Sequence, residues 1–310
     1  MSFTNYPSLA HSSELVRRLA SPLAGAAMER LLAGRRLNET PLDLSRERYI
    51  VYVPAHEPPA GYGLLVFVPP WDEAHLPLGW ASVLDRFGVV YVSAAGSGNS
   101  ASTVGRREPL ALIAEANAAQ RYPIDPERIF VGGFSGGSRV ALRLALGYPD
   151  VFRGVMLNAG SDPIGDPAAP LPPRDLFELF RTRTRLVYVT GDRDDAARPN
   201  DVDSQGSMKR WCVAHYTVEP MAEVGHKAAD PAGLAAALAD LEKPVTTDAA
   251  KQAACQARVD RALGAALAEV KKLIASGKRD EARKRLIALD TRFGGLAAPA
   301  SLALADKVGL

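Results

Sequence analysis

The apolar positions of the chain fall into seven short runs rich in valine, isoleucine, leucine and aromatic residues. These runs predict strands over residues 49–53, 64–68, 89–93, 129–132, 154–158, 186–190 and 215–219. Several are almost continuously apolar instead of alternating, which is typical of strands buried on both faces of a parallel sheet. Helices must then cover both faces of that sheet.

Amphipathic stretches between these runs predict the covering helices. They span residues 110–122, 136–147, roughly 204–212, and 231–241. In the last of them Leu234, Leu238 and Leu241 share one face. Only about ten residues, rich in proline, join the first strand to the second, so no crossover helix fits between them. We therefore expect an α/β sheet whose first strand is antiparallel.

A further helical pattern precedes the first strand. Ser12 or Ser13 can cap a helix in which apolar residues recur every four positions toward Ala33, despite Pro22. We assign this N-terminal segment, residues 1–45, to packing on the core.

The composition changes after Pro244 to alanine, lysine, arginine and leucine. An apolar stripe from Val259 to Ile274 predicts a long helix that Gly277 would end. A second stripe from Ala282 to Phe293 predicts a return helix. Residues 246–310 are thus expected to form a small helical hairpin, similar to part of a tetratricopeptide repeat and able to contact another protein.

Composition and charge remove several classes of function. Lys and Arg number 37 against 35 Asp and Glu in 310 residues, so no global field favours a polyanion and nucleic-acid binding is not expected. No run approaches the roughly 20 apolar residues of a membrane span, and no export signal is visible. As written the chain is expected in the cytoplasm, or in the periplasm or outside the cell if a leader has been removed.

Neither the cysteines nor the glycines predict a cofactor. Cys212 and Cys255 lack the spacing of zinc ligands, so two buried thiols are the simpler expectation and one long-range disulfide is the alternative. The run Gly96-Ser-Gly-Asn-Ser-Ala matches a dinucleotide fingerprint, but no further strand ends in an acid about 20 residues later. We expect no metal and no cofactor.

The most informative motif lies between the fourth predicted strand and an alanine- and leucine-rich helix. It is Gly-x-Ser-x-Gly, from Gly133 to Gly137. A serine on such a tight strand-to-helix turn needs small neighbours because its backbone is strained. The motif predicts Ser135 as a nucleophile, and the Gly136 amide, at the start of the helix, as a donor to a developing oxyanion.

The stretch from Arg128 to Gly160, which ends in LGYPDVFRGVMLNAG, resembles the α/β-hydrolase superfamily. Within it the polyhydroxybutyrate depolymerase and feruloyl esterase type is most similar, and the likeness in pattern extends from about Tyr49 to Leu241. This resemblance implies an α/β-hydrolase fold, a catalytic domain over residues 46–245, and a Ser-His-Asp site in which the acid precedes the histidine.

A serine hydroxyl needs a histidine to accept its proton and a carboxylate to orient that histidine. Similar enzymes place the acid three residues after a glycine that follows a strand, which here gives Asp194 after Gly191; Asp192 and Asp195 are its alternatives. His226 is the expected base, because it follows the acid in a loop after the last strand. The other four histidines precede the serine or open the last strand.

The loop after the second strand departs from the superfamily pattern. It reads Phe67-Val-Pro-Pro-Trp-Asp where a His-Gly pair is usual, and proline has no amide hydrogen to donate. The second oxyanion donor is therefore expected at Trp71 or just beyond it. Trp71 and Phe134 are the candidates to line the substrate pocket.

The expected activity is cleavage of short-chain, aryl or hydroxyacyl esters, or of a polymer end, through an acyl-enzyme. The short segment 160–184 contains five prolines and leaves no room for a large lid, which favours short acyl groups. A peptidase or acyltransferase with the same three residues is an alternative. A binding or scaffold protein on a hydrolase frame is another, suggested by the double proline and the repeat-like tail.

Overall fold

A computed structural model describes residues 1–213, 215–246 and 248–310. Within these residues one sheet contains seven strands: β1 (Tyr49–Tyr52), β2 (Tyr62–Val68), β3 (Val89–Ala94), β4 (Ile124–Phe134), β5 (Gly154–Asn158), β6 (Arg185–Val189) and β7 (Tyr216–Val218). Their spatial order is β1-β3-β2-β4-β5-β6-β7. Only β1 runs antiparallel to its neighbour, as the short join to β2 predicts.

The α-helices of the described residues are α1 (Ser12–Leu19), α2 (Pro22–Leu32), α3 (Trp80–Phe87), α4 (Glu108–Arg121), α5 (Gly136–Gly147), α6 (Arg174–Arg183), α7 (Arg198–Arg210), α8 (Pro231–Leu241), α9 (Ala249–Ala275), α10 (Arg279–Phe293) and α11 (Ala300–Val308). None of these helices combines the length and apolarity that crossing a membrane requires.

Helices cover both faces of the sheet, as expected. All seven residues of β2 are buried, and they alternate between the two faces. Leu64 and Val66 pack in the layer that includes α4 and α5, whereas Leu65 and Phe67 pack in the layer of α3 and α8. A strand covered on both sides explains the continuous apolar run in the sequence.

The N-terminal segment forms two helices where the sequence predicts one. Pro22 cannot donate to a preceding turn, so α1 ends at Leu19. Pro22 instead occupies the first position of α2, where no donor is needed, and the Ser21 side chain accepts a hydrogen bond from the Ala24 amide. The expectation of one continuous helix is therefore wrong.

The C-terminal hairpin is present as α9 and α10, with Gly277 between them at a φ of 74°. A third helix, α11, follows and was not expected from the sequence. Its buried residues Leu304, Ala305 and Val308 join the same apolar cluster as α4 and α5. The tail therefore packs on the remainder of the molecule instead of extending away from it.

The expectation of two free thiols is wrong, because Cys212 and Cys255 form a disulfide. Their α-carbons lie 5.8 Å apart, within the usual range for such a bond. The bond connects the second residue after α7 to the first half of α9. It thus covalently joins the C-terminal helices to the sheet-containing part of the chain.

Candidate active site

Ser135 occupies the turn between β4 and α5. Its φ of 54° and ψ of −122° are unusual for a residue with a side chain, and such strain persists only where the surroundings impose it. The Ser135 amide donates to the Asn158 carbonyl at 2.9 Å, and the Ser138 amide donates to the Ser135 carbonyl at 3.0 Å. The turn is therefore held from both sides.

Two glycines make this turn sterically feasible. A β-carbon on Gly133 would lie 2.2 Å from the Gly137 carbonyl oxygen. A β-carbon on Gly137 would lie 1.9 Å from the Val68 carbonyl oxygen. Both distances are far inside van der Waals contact with backbone atoms, so the motif Gly-x-Ser-x-Gly is required by the packing of the turn.

Ser135, His226 and Asp194 form one hydrogen-bonded chain. The His226 Nε2 lies 3.0 Å from the Ser135 Oγ, and its Nδ1 lies 2.7 Å from Asp194 Oδ2. The other Asp194 oxygen accepts the Ala197 amide at 3.0 Å, and the side chain is only 1% exposed. Its alternatives Asp192 and Asp195 are exposed.

The loops that carry the acid and the histidine are held together by their backbones. The Asp192 amide donates to the Met221 carbonyl, and the Arg193 amide donates to the Val224 carbonyl, both at 3.0 Å. These bonds continue the pairing of β6 with β7 beyond the strand ends. They explain how residues 32 positions apart meet at hydrogen-bonding distance.

Asn158, at the end of β5, connects the serine turn to the histidine loop. Its backbone carbonyl accepts the Ser135 amide. Its side chain donates to the Val189 carbonyl at 2.6 Å and accepts the Ala229 amide at 2.7 Å. This fully buried residue was not among the candidates expected from the sequence, although an amide at the end of an apolar strand was a usable signal.

A second buried carboxyl group lies behind the acid loop. Asp201 accepts hydrogen bonds from the hydroxyls of Thr190, at 2.6 Å, and Ser161, at 3.0 Å. Burial raises the pKa of Asp201, and the nearby charge of Asp194 raises it further. Satisfied networks of this kind fix the ends of the elements that they join, here β6, α7 and the loop after β5.

The two expected oxyanion donors lie at the start of α5 and in the loop after β2. Gly136 is the first residue of α5, so its amide is among those without an acceptor inside the helix. The loop that holds Trp71 is fixed from the β3 side, where the Asn99 amide donates to the Pro70 carbonyl at 3.0 Å. Arg107 also donates to the carbonyl of Pro69 in this loop.

The two expected pocket residues, Trp71 and Phe134, belong to a group of aromatic side chains beside His226. The Phe134 ring lies 5.0 Å from that of His226 and 6.1 Å from that of Trp71, measured between centroids. Trp71 stacks in turn on His75 at 4.8 Å. Neither Trp71 nor Phe134 lines the cleft that opens beside Ser135 and His226.

A cleft of about 880 Å³ opens beside Ser135 and His226. One wall is the first turns of α5, and another is the loop after β5, which contains Asp162. The far wall comes from both termini, since residues 19–21 of the N-terminal segment and Thr291 of α10 line it. The sequence assigned these segments only to packing and protein contact, and no local signal marked them as cleft residues.

No three His, Cys, Asp or Glu side chains converge as metal ligands in the part of the chain that the structure describes.

The chain has the α/β-hydrolase fold, which confirms the fold expected from the sequence. Its marks are the strand order, the serine at the β4–α5 turn, and the aspartate and histidine that follow β6 and β7.

Comparison with known proteins adds one sequence relative. A stretch of 98 residues is 31% identical to a poly(3-hydroxybutyrate) depolymerase from Ralstonia pickettii. The match spans 27% of this chain and 20% of the depolymerase. No protein-family model matches the chain.

Solved structures with a similar arrangement include Est1E from Butyrivibrio proteoclasticus with bound ferulic acid. It is 13% identical, with a TM-score of 0.45 over 62% of this chain and 92% of the other. An acetyl xylan esterase from Aspergillus awamori is 14% identical, with a TM-score of 0.43 over 58% and 89% of the two chains.

Proposed function

We propose that this protein is a serine esterase that cleaves carboxylic esters through an acyl-enzyme. The observation that carries the proposal is the hydrogen-bonded chain from Ser135 through His226 to Asp194, set beside an open cleft. The 98-residue similarity to a poly(3-hydroxybutyrate) depolymerase supports an ester as the bond that is cleaved.

In the acylation step the Ser135 Oγ attacks the ester carbonyl carbon. Its proton passes to the Nε2 of His226, whose Nδ1–H is directed at the Asp194 carboxylate. The tetrahedral intermediate collapses, the bond to the alcohol breaks, and the alcohol leaves with the proton from His226. The acyl group is then bonded to Ser135.

In the deacylation step water replaces the alcohol. His226 takes a proton from the water, whose oxygen attacks the acyl carbon. Collapse of the second intermediate releases the carboxylic acid and returns the proton to Ser135. One ester and one water give one acid and one alcohol, and the protein is unchanged.

The negative charge of both intermediates needs backbone donors. We assign the Gly136 and Trp71 amides to this role. Loss of one such donor typically costs on the order of 100-fold to 1000-fold in turnover.

The proposal is tested by labelling and by substitution of the nucleophile. A fluorophosphonate probe is expected to label Ser135, and Ser135→Ala is expected to remove the label and to lower ester hydrolysis by about 10⁴-fold or more. Ser138→Ala is the matched control, because its buried hydroxyl has no partner among the described residues. Hydrolysis that persists in Ser135→Ala would refute the proposal.

Two further assays determine whether esters or amides are preferred and which acyl length is cleaved fastest. p-Nitrophenyl esters are expected to be cleaved faster as the acyl chain shortens, and the matching anilides are expected to react poorly. A preference for long acyl chains or for anilides would contradict the short-chain esterase. Transfer of the acyl group to added alcohols in preference to water would indicate an acyltransferase instead.

A further inference from the structure

The three arginines that line the cleft differ in how their donors are used. Arg107 donates to the carbonyl oxygens of two loops, at 2.9 Å each. Arg143 donates to the buried carboxylate of Glu108 and to two further carbonyls. Both guanidinium groups therefore hold the walls of the cleft in place and have few donors to offer a ligand.

Arg139 is different. Its guanidinium makes no hydrogen bond to any residue in the described ranges, and its ionic contact is with Asp162, whose oxygen lies 3.3 Å away. The side chain is 47% exposed and lines the cleft. Of its five N–H donors, the one on Nε faces Asp162, and the four on the terminal nitrogens remain available in a cleft that Ser135 also lines.

Arg139 lies near the start of α5 and shares the cleft with the nucleophile. The helix begins at Gly136, directly after Ser135, and Arg139 is its fourth residue. Ser135, Gly136, Arg139 and His226 all line the cleft. A carboxylate held by Arg139 would therefore lie in the same cleft as the ester that Ser135 attacks.

We propose that Arg139 binds a carboxylate of the substrate, which makes esters with a free carboxylate near the scissile bond the preferred class. This inference rests on the esterase function proposed above. Guanidinium and carboxylate match as a bidentate pair, which orients the ligand as well as attracting it. The carboxylate belongs either to the leaving alcohol, as at the end of a hydroxyacid oligomer, or to the acyl part, as in a dicarboxylic monoester.

Asp162 is expected to weaken the binding of a substrate carboxylate to Arg139. Its carboxylate occupies one side of Arg139 and repels a second anion. Burial raises the pKa of Asp162, while the charge of Arg139 lowers it, so this carboxylate is poorly solvated when ionised. Its removal is expected to leave Arg139 more available to the substrate.

The experiment compares each carboxylate ester with its neutral methyl ester. One pair is the 3-hydroxybutyrate dimer and its methyl ester, with the carboxylate in the leaving alcohol. The other is p-nitrophenyl monoadipate and its methyl ester, with the carboxylate in the acyl part. The measured quantity is the ratio of kcat/KM for the acid to kcat/KM for the methyl ester.

For at least one pair, Arg139→Gln is expected to lower this ratio by about 10-fold to 100-fold, which is the usual effect of losing a hydrogen bond between charged groups. Arg139→Lys keeps the positive charge and is expected to lower the ratio by less. Asp162→Asn is expected to raise the ratio. Arg174→Gln is the matched control, because Arg174 is 49% exposed and also pairs with an aspartate, but lies outside the cleft lining.

The inference is overturned if the ratio for both pairs is the same in the wild type and in Arg139→Gln while the neutral esters are still hydrolysed. Failure of the esterase function itself looks different. In that case the neutral esters are not hydrolysed by the wild type, and Ser135 is not labelled.

Discussion

At the scale of the single residue, burial without a partner decides the charge of Glu115 on α4. Desolvation raises the pKa of its carboxyl group to about 7, and no cation among the described residues offsets that effect. Glu108, on the same helix, is fully buried, and burial also raises its pKa, but the charge of Arg143 acts against this rise. The two glutamates thus differ in whether the fold provides a counter-charge.

Glu115 therefore makes the stability of the protein depend on pH. A pKa that is raised on folding means that the folded state binds the proton more tightly, so the contribution of Glu115 to stability is greatest below about pH 4.5 and falls as the pH rises to about 7. Glu115→Gln is expected to remove this fall and to raise the free energy of unfolding by about 2–3 kcal/mol at pH 8. Urea unfolding at pH 4.5 and pH 8 measures both values.

The exposed Glu29→Gln is the control for this prediction and is expected to have little effect at either pH. If Glu115→Gln changed the unfolding free energy equally at both values of pH, the raised pKa would not be the cause.

At the scale of the element, one aspartate attaches α10 to the start of α2. The buried Asp290 carboxylate accepts hydrogen bonds from the Ser21 hydroxyl and from the Leu23 amide. A carboxylate at a helix N-terminus also interacts favourably with the helix dipole. Because Ser21 and the neighbouring Thr291 line the cleft, this contact sets the position of its far wall.

Asp290→Ala is expected to lower the free energy of unfolding by about 1–3 kcal/mol, since it leaves a partly buried hydroxyl and amide without their acceptor. Asp290→Asn keeps one acceptor oxygen and should cost less. Thermal and urea unfolding measure the loss, with the exposed Asp306→Ala as the control. Equal effects of Asp290→Ala and Asp306→Ala would show that the α10–α2 contact does not stabilise the molecule.

At the scale of the whole molecule, the disulfide closes a long loop. Cys212 and Cys255 are 43 residues apart, and the bond attaches the C-terminal helices to the part of the chain that contains the sheet. Cross-linking a loop of this length removes conformational entropy from the unfolded chain, which corresponds to about 4 kcal/mol in the simplest treatment.

Cys255→Ser is therefore expected to lower the free energy of unfolding by about 2–4 kcal/mol. Cys212→Ser should have a similar effect, and the double variant should lose no more than either single variant, because all three lack the same bond. Urea unfolding with and without a reductant makes the comparison. Additive losses, or a reductant effect that persists in Cys255→Ser, would contradict the role assigned to the bond.

Features that depend on residues close together in the chain could be predicted from the sequence, whereas contacts between distant residues could not. The strands and the serine turn were predicted because they depend on neighbours along the chain, such as the apolar run of β2 or the glycines around Ser135. Asp194 was expected as the acid, but Asp192 and Asp195 stayed as alternatives, because three carboxylates within four residues share one local pattern. Arg139 was missed, because an arginine on a helix carries no local pattern that marks it as a cleft residue.

The sequence alone determined the seven strands, most of the helices and that a serine would stand on a strained turn, since side-chain period and steric size act locally. Only the tertiary structure decided that Asp194 meets His226, that Cys212 meets Cys255, and that the two termini wall the cleft. These contacts join residues from tens to hundreds of positions apart. Their geometry depends on how whole elements pack, which local preferences do not specify.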